Sequence, residues 1–203
     1  MATNSPGPFA SSSVGSSVTV GLSKPATSRC FLIVFSEKPS LTVGDLGCGT
    51  GQVSELVAPH VCKVIAVDGS TDMVQAARRR LKGVQHVDVR RGDMAALSID
   101  DAQLDVAIVA LVLHHVPEPA RVLSEVGRVL KPGGRVLIVD MLPHDREDYQ
   151  QQMGHVWLGF SEKTVRKYLE GAGFERPTIS PLPTEDDAKG PSLFVATARK
   201  IDR

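Results

Sequence analysis

The residues of this chain that could do chemistry are mostly carboxylates, set beside glycines at the ends of apolar runs. Asp45 leads Gly47, Gly49 and Gly51 in "DLGCGTGQ", Asp68 closes "KVIAVD", and Asp93 follows Gly92 in "RRGDM". A glycine loop ahead of a helix exposes backbone N–H groups to a ligand, and the common ligand is a pyrophosphate. Two features argue against phosphate here. The dinucleotide pattern G-x-G-x-x-G/A needs a small residue where Gln52 stands, and Gly51 comes one position early. Asp45 would also face a pyrophosphate with like charge. An acid in that place suits a ligand with a cationic group and no phosphate.

The histidines form a second set. His114 and His115 directly follow the apolar run 104–111, where either could take a proton from a bound acceptor. The stretch "MLPHDREDYQQQMGHVWLGFS" gathers His144, Tyr149, His155, Trp157 and Phe160, the makings of an aromatic-lined acceptor pocket. His144 and His155 also offer a metal pair, but the pocket is the preferred reading and no metal ion is expected. Cys30, Cys48 and Cys62 form no C-x-x-C pair and no zinc spacing. Cys48, inside the glycine loop, reads as a small loop residue rather than a nucleophile.

These groups need elements to hold them. Strands are expected over 41–45, 63–68, 84–89, 104–111, 135–140 and 193–198, with a weaker one near 177–182. The run 104–111 is apolar on both faces, as a central parallel strand is. Helices are expected from Gln52 to Pro59, over 70–82 with Met73, Val74, Ala77 and Leu81 on one face, from Pro119 along a stripe of Val122, Leu123, Val126, Val129 and Leu130, and from an N-cap at Ser161 to about Glu170. Gly83 is expected as a C-cap, and "KPGG" as a turn before "RVLIVD". This alternation predicts a doubly wound, Rossmann-like α/β sheet of seven strands, mostly parallel with an antiparallel C-terminal strand. Right-handed crossovers put the strand C-termini along one edge, where ligands bind. Asp45, Asp68, Asp93, His114 and Asp140 all fall at or just past strand C-termini.

The whole composition is that of a soluble globular chain of 203 residues, 42% hydrophobic and 23% charged. Equal counts of basic and acidic residues, 23 each, speak against nucleic acid as a partner. Arg78-Arg79-Arg80 reads as a solvated helix face. No apolar run reaches the length of a membrane span. Residues 1–36 contain nine serines and no Asp or Glu. They read as a disordered segment, as a targeting peptide, or as a mis-assigned N-terminus, ahead of a ligand-binding domain over 37–203. The sparse cysteines suggest a reducing, cytoplasmic setting, or an organelle if 1–36 is a transit peptide. Oligomeric state is not legible.

S-adenosylmethionine carries an ammonium, a sulfonium and no phosphate, which is the charge pattern the loop favours. "VGDLGCGTG" resembles the glycine motif of class I S-adenosylmethionine-dependent methyltransferases. The likeness extends over about residues 41–199 through "VIAVD", "RRGDM", "DVAIVALVLHHV" and "RVLKPGGRVLIVD", in the order and spacing of a type 11 methyltransferase domain. The segment after "VLIVD" also resembles the methyltransferase domain of bacterial proteins with an ArsR-type head and, more loosely, quinone-biosynthesis methyltransferases. The resemblance implies methyl transfer to a small-molecule acceptor. It implies that Asp45 orients the amino-acid end of the cofactor, that Gly47 and Gly49 let the backbone approach it, and that Asp68 accepts from both ribose hydroxyls. Met73 would lie beside the adenine, Asp93 would accept from its amino group, Met94 would pack on the ring, and Leu111 would line the other side. Family members usually carry N-terminal helices that close over the site, and nothing amphipathic precedes Leu41. Two rivals therefore stand beside the enzyme: a non-catalytic cofactor-binding module without a lid, and a nicotinamide-dependent oxidoreductase, which Asp45 and Gln52 oppose.

Overall fold

The structure, a computed structural model, describes residues 40–183 and 190–202. Its strands are β1 (Thr42–Leu46), β2 (Lys63–Asp68), β3 (Val87–Arg91), β4 (Leu104–Ala110), β5 (Leu130–Met141), β6 (Phe174–Pro181) and β7 (Leu193–Lys200). They form one sheet in the order β3-β2-β1-β4-β5-β7-β6. β1 lies parallel to β2 and β4, β2 to β3, and β4 to β5; β7 runs antiparallel to both β5 and β6. The chain winds outward from β1 to β3, then restarts at β4 on β1's other side. In doubly wound sheets, ligands bind at the strand C-termini beside such a reversal, here at the loops after β1 and β4.

Helices cover both faces. α1 (Gln52–Val57) and α2 (Thr71–Arg80) follow β1 and β2; α3 (Pro119–Val129), α4 (Asp148–Met153) and α5 (Glu162–Gly171) follow β4 and β5. Alternation along β2 shows the two layers. Ile65 and Val67 join a cluster with Val122, Leu123 and Val126 of α3 and Val165 and Leu169 of α5. Val64 packs with Val53 and Val57 of α1, and Ala66 with Ala77 of α2 and Leu81 just beyond it. Burying each such aliphatic side chain contributes ~1.5–3 kcal/mol. Ser70 and Ser161 cap α2 and α5, accepting from the Met73 and Thr164 N–H groups.

Several boundaries differ from the sequence reading. β3 starts at Val87 rather than 84, because Val84 sits in a turn whose N–H bonds Leu81 O. β5 already begins at Leu130, and "KPGG" is absorbed as an irregularity between the pairs Leu104↔Leu130 and Val106↔Arg135. Leu81, not Gly83, is the C-cap of α2; Gly83 takes a left-handed φ of 92° two residues on. Met73 leaves the apolar face of α2 and is exposed, while Val74, Ala77 and Leu81 are buried. The strand expected near 177–182 is the longer Phe174–Pro181. The expectations for residues 1–36, a lid among them, lie outside the described residues. Among the described residues no helix is long and apolar enough to cross a membrane.

Candidate functional site

The five edge residues meet at the C-terminal side of the sheet. Asp45 is the penultimate residue of β1, Asp68 the last of β2, Asp140 the penultimate of β5, and Asp93 and His114 lie just past β3 and β4. The glycine loop is closed by backbone bonds from the Gly47 and Cys48 N–H groups to Val67 O, at 2.8 and 2.9 Å. Its three glycines have left-handed φ of 81°, 52° and 81°, but they do different things. A side chain on Gly47 would collide with Val112 after β4. One on Gly51 would press on Ala77 and Leu81, so Gly51 supplies the close helix packing that the fingerprint gives to its third glycine. Gly49 alone faces open space. Gly49 thus leaves open space over the loop, and the smallness of Gly47 makes room for Val112.

Asp68 is fixed by two backbone hydrogen bonds. One carboxylate oxygen accepts from Gly49 N–H and the other from Ser70 N–H, both at 2.8 Å. Each oxygen keeps a second lone pair, enough for two vicinal O–H donors. Asp45 is buried with Ser54, whose hydroxyl donates to Asp45 Oδ2 at 2.6 Å. Burial pushes the Asp45 pKa up to about 6, partly offset by the Ser54 hydrogen bond. Burial also pushes the Cys48 thiol well above its usual range, so it is held neutral and unreactive. These residues fit a cationic, ribose-bearing cofactor: an acid at the loop, a free carboxylate face on Asp68, and open space over Gly49.

Of the residues expected around the adenine, Met73 is exposed three residues beyond the Ser70 cap. Asp93 Oδ1 accepts from Ala95 N–H at 2.9 Å in a turn of its own. Met94 is mostly buried, in one cluster with Leu97 and Ile99. Leu111 holds a left-handed φ of 58°, and its N–H bonds Val139 O at 2.7 Å. A non-glycine residue there is strained, and strain of this kind collects at ligand sites.

Along the same edge the histidines converge. His114 is buried, and its Nδ1 lies 2.7 Å from Asp140 Oδ1. A carboxylate can only accept, so Nδ1 carries the proton and Nε2 is left as a base or ligand. Asp140 also accepts from the Leu113 and Met141 N–H groups. Residues 142–160 fold back over this turn: the Val156 and Trp157 N–H groups both donate to His114 O, and Trp157 Nε1 donates to Val116 O. That fold brings the His155 ring to 4.3 Å from His114 and 5.0 Å from His115. Tyr149 contacts the rings of both His155 and His144. Burial holds the His155 pKa down to about 4, and burial with His114 beside it lowers that of His115. Phe160 departs from expectation: it is 3% exposed, packed into the core beside Tyr168, and braces the segment from beneath. Sequence reasoning missed the bond from Ser54 and the Asp140–His114 pair. Both partners of each were visible as residue types, but only the fold brings them together.

Comparison with known proteins bears on this edge. Residues 44–138 match the family described as "Methyltransferase domain". The chain is 33% identical over 184 residues to an uncharacterized 37.1 kDa protein in transposon TN4556 of Streptomyces fradiae, covering 82% of this chain and 53% of that protein. It is 37% identical over 115 residues to a demethylmenaquinone methyltransferase of Clavibacter sepedonicus, covering 57% of this chain and 45% of that one. The chain thus spans about half the length of the curated relatives it matches. Among solved structures, an S-adenosylmethionine-dependent methyltransferase from Mesorhizobium loti superposes with a TM-score of 0.75 at 22% identity, over 89% of this chain and 100% of that one. That likeness is one of fold.

Proposed function

We propose that the chain, whose residues 44–138 match a methyltransferase domain, is a class I S-adenosylmethionine-dependent methyltransferase that transfers the cofactor's methyl group to a small-molecule acceptor held beneath residues 142–160. The observation that carries this reading is a pair of residue groups along one edge of the sheet. Asp68 and Gly49 form one, and the cluster of His114, His115 and His155, with Tyr149 against His155, forms the other. When bound, the sulfonium supplies an activated methyl carbon and a neutral leaving group, so the protein's task is alignment. Asp68 would hold the ribose hydroxyls, Asp45 the ammonium end, and Asp93 the adenine amino group, with Met73 and Leu111 against its ring. Where the acceptor must lose a proton, the histidine cluster is the accepting group. His115 is its exposed member and is neutral near pH 7, while Asp140 positions His114. A small acceptor agrees with a demethylmenaquinone methyltransferase among the relatives and with the zero net charge, which offers nucleic acid no basic field. A cytoplasmic setting agrees with Cys48 and Cys62 being free thiols.

The test is transfer of labelled methyl from S-adenosylmethionine to a panel of hydroquinones, phenols, thiols and arsenite. Label extracted with a small molecule is expected. Label only in precipitable macromolecule would overturn the acceptor class, and cofactor binding with no transfer to any acceptor would favour a binding module.

A further inference from the structure

The histidine cluster holds more than a proton relay requires. His114, His115 and His155 each offer one ring nitrogen, and these three atoms lie within 4.8 Å of one another. His155 is 94% buried, since it is 6% exposed, yet its Nδ1 has no hydrogen-bond partner among the described residues. An orphaned buried imidazole nitrogen is costly and asks for a partner. His114 has its outer nitrogen fixed by Asp140, leaving Nε2 to the cluster; a carboxylate behind a histidine in this way is the usual support of a zinc ligand. His115 Nδ1 lies 3.3 Å from Gly154 O, which fixes that ring in the same manner. We propose that His114, His115 and His155 form a binding site for a divalent transition metal of the zinc type, with Asp140 positioning His114.

The donor set selects the metal. Three neutral imidazoles suit zinc, cobalt, nickel or copper and do not suit magnesium or calcium, which want oxygen. Tetrahedral zinc at ~2.0–2.1 Å from nitrogen puts ligand atoms about 3.4 Å apart, so the rings need close by no more than ~1.5 Å. His144 stays outside the trio. Its Nδ1 accepts from Arg146 N–H at 3.2 Å, which puts its proton on Nε2. Three protein ligands leave a fourth position open. On the methyl-transfer reading, which this clause alone rests on, that position would take the acceptor's oxygen or sulfur and favour its deprotonated form, the metal then doing this in place of a free histidine base.

The test uses untagged, chelator-stripped full-length protein titrated with Zn²⁺ against a chromogenic chelator, and with Co²⁺ followed by its visible spectrum. One equivalent of zinc and a four-coordinate cobalt spectrum are expected. His115→Gln and His155→Gln should each weaken zinc at least ~10-fold, Asp140→Asn ~10–100-fold, and the remote His60→Gln not at all. No stoichiometric uptake, or uptake unchanged in both His115→Gln and His155→Gln, would overturn the site. Binding of S-adenosylhomocysteine, measured in parallel, shows each variant to be folded. It also separates the two ideas: cofactor binding without zinc removes the metal site and leaves the methyltransferase reading, and zinc without cofactor does the reverse.

Discussion

Asp45 couples the site to pH. Its folded pKa of about 6 stands above the unfolded 3.8, so folding favours the protonated form. That contribution to stability is complete below about pH 3.8 and is lost as pH rises to about 6; it is worth ~3 kcal/mol by linkage. The cofactor's ammonium would favour the carboxylate, so binding draws the pKa down and releases a proton. Affinity for S-adenosylmethionine should therefore rise from about pH 5 to pH 7 and then level, with proton release seen by calorimetry in buffers of different ionisation enthalpy. Asp45→Asn should flatten the profile. A flat profile in the unsubstituted protein would mean that Asp45 does not sense the ligand's charge.

At the scale of elements, the loops after β1 and β4 are built against each other. Gly47→Ala must strain a left-handed φ and displace Val112, so it should cost roughly 2–4 kcal/mol in urea unfolding. Adding Val112→Ala should recover the collision but not the ~1–2 kcal/mol of backbone strain, leaving the pair less destabilised than the sum of the singles. Strict additivity would mean that the two loops are not in contact. Such pairing was not legible in the sequence, whereas elements with their own periodicity were. β2 reads as Lys63–Asp68 from its apolar run alone, and α3 from its stripe of Val122, Leu123, Val126 and Val129. α4 was missed because "DYQQQM" buries nothing and so has no apolar stripe. Phe160 was misplaced because an aromatic residue in a polar loop reads the same whether it lines a pocket or plugs the core.

For the whole molecule, the sheet order makes the site. Strand order reverses between β1 and β4, and the acids at strand ends gather along one edge of the sheet. The acids were legible there because each ends a strand. Their partners were not: Ser54 is nine residues from Asp45, and Asp140 is 26 from His114, on separate elements. The histidine trio waits on residues 142–160 folding back onto His114 O. The central claim is that this edge takes S-adenosylmethionine rather than a dinucleotide. Calorimetric titration with S-adenosylhomocysteine and with NAD, for the unsubstituted protein and Asp68→Ala, tests it most directly. One equivalent of S-adenosylhomocysteine should bind and NAD should not, and Asp68→Ala should weaken binding by ~1.5–3 kcal/mol, roughly 10- to 150-fold. Binding of NAD without S-adenosylhomocysteine, or unchanged affinity in Asp68→Ala, would contradict the account.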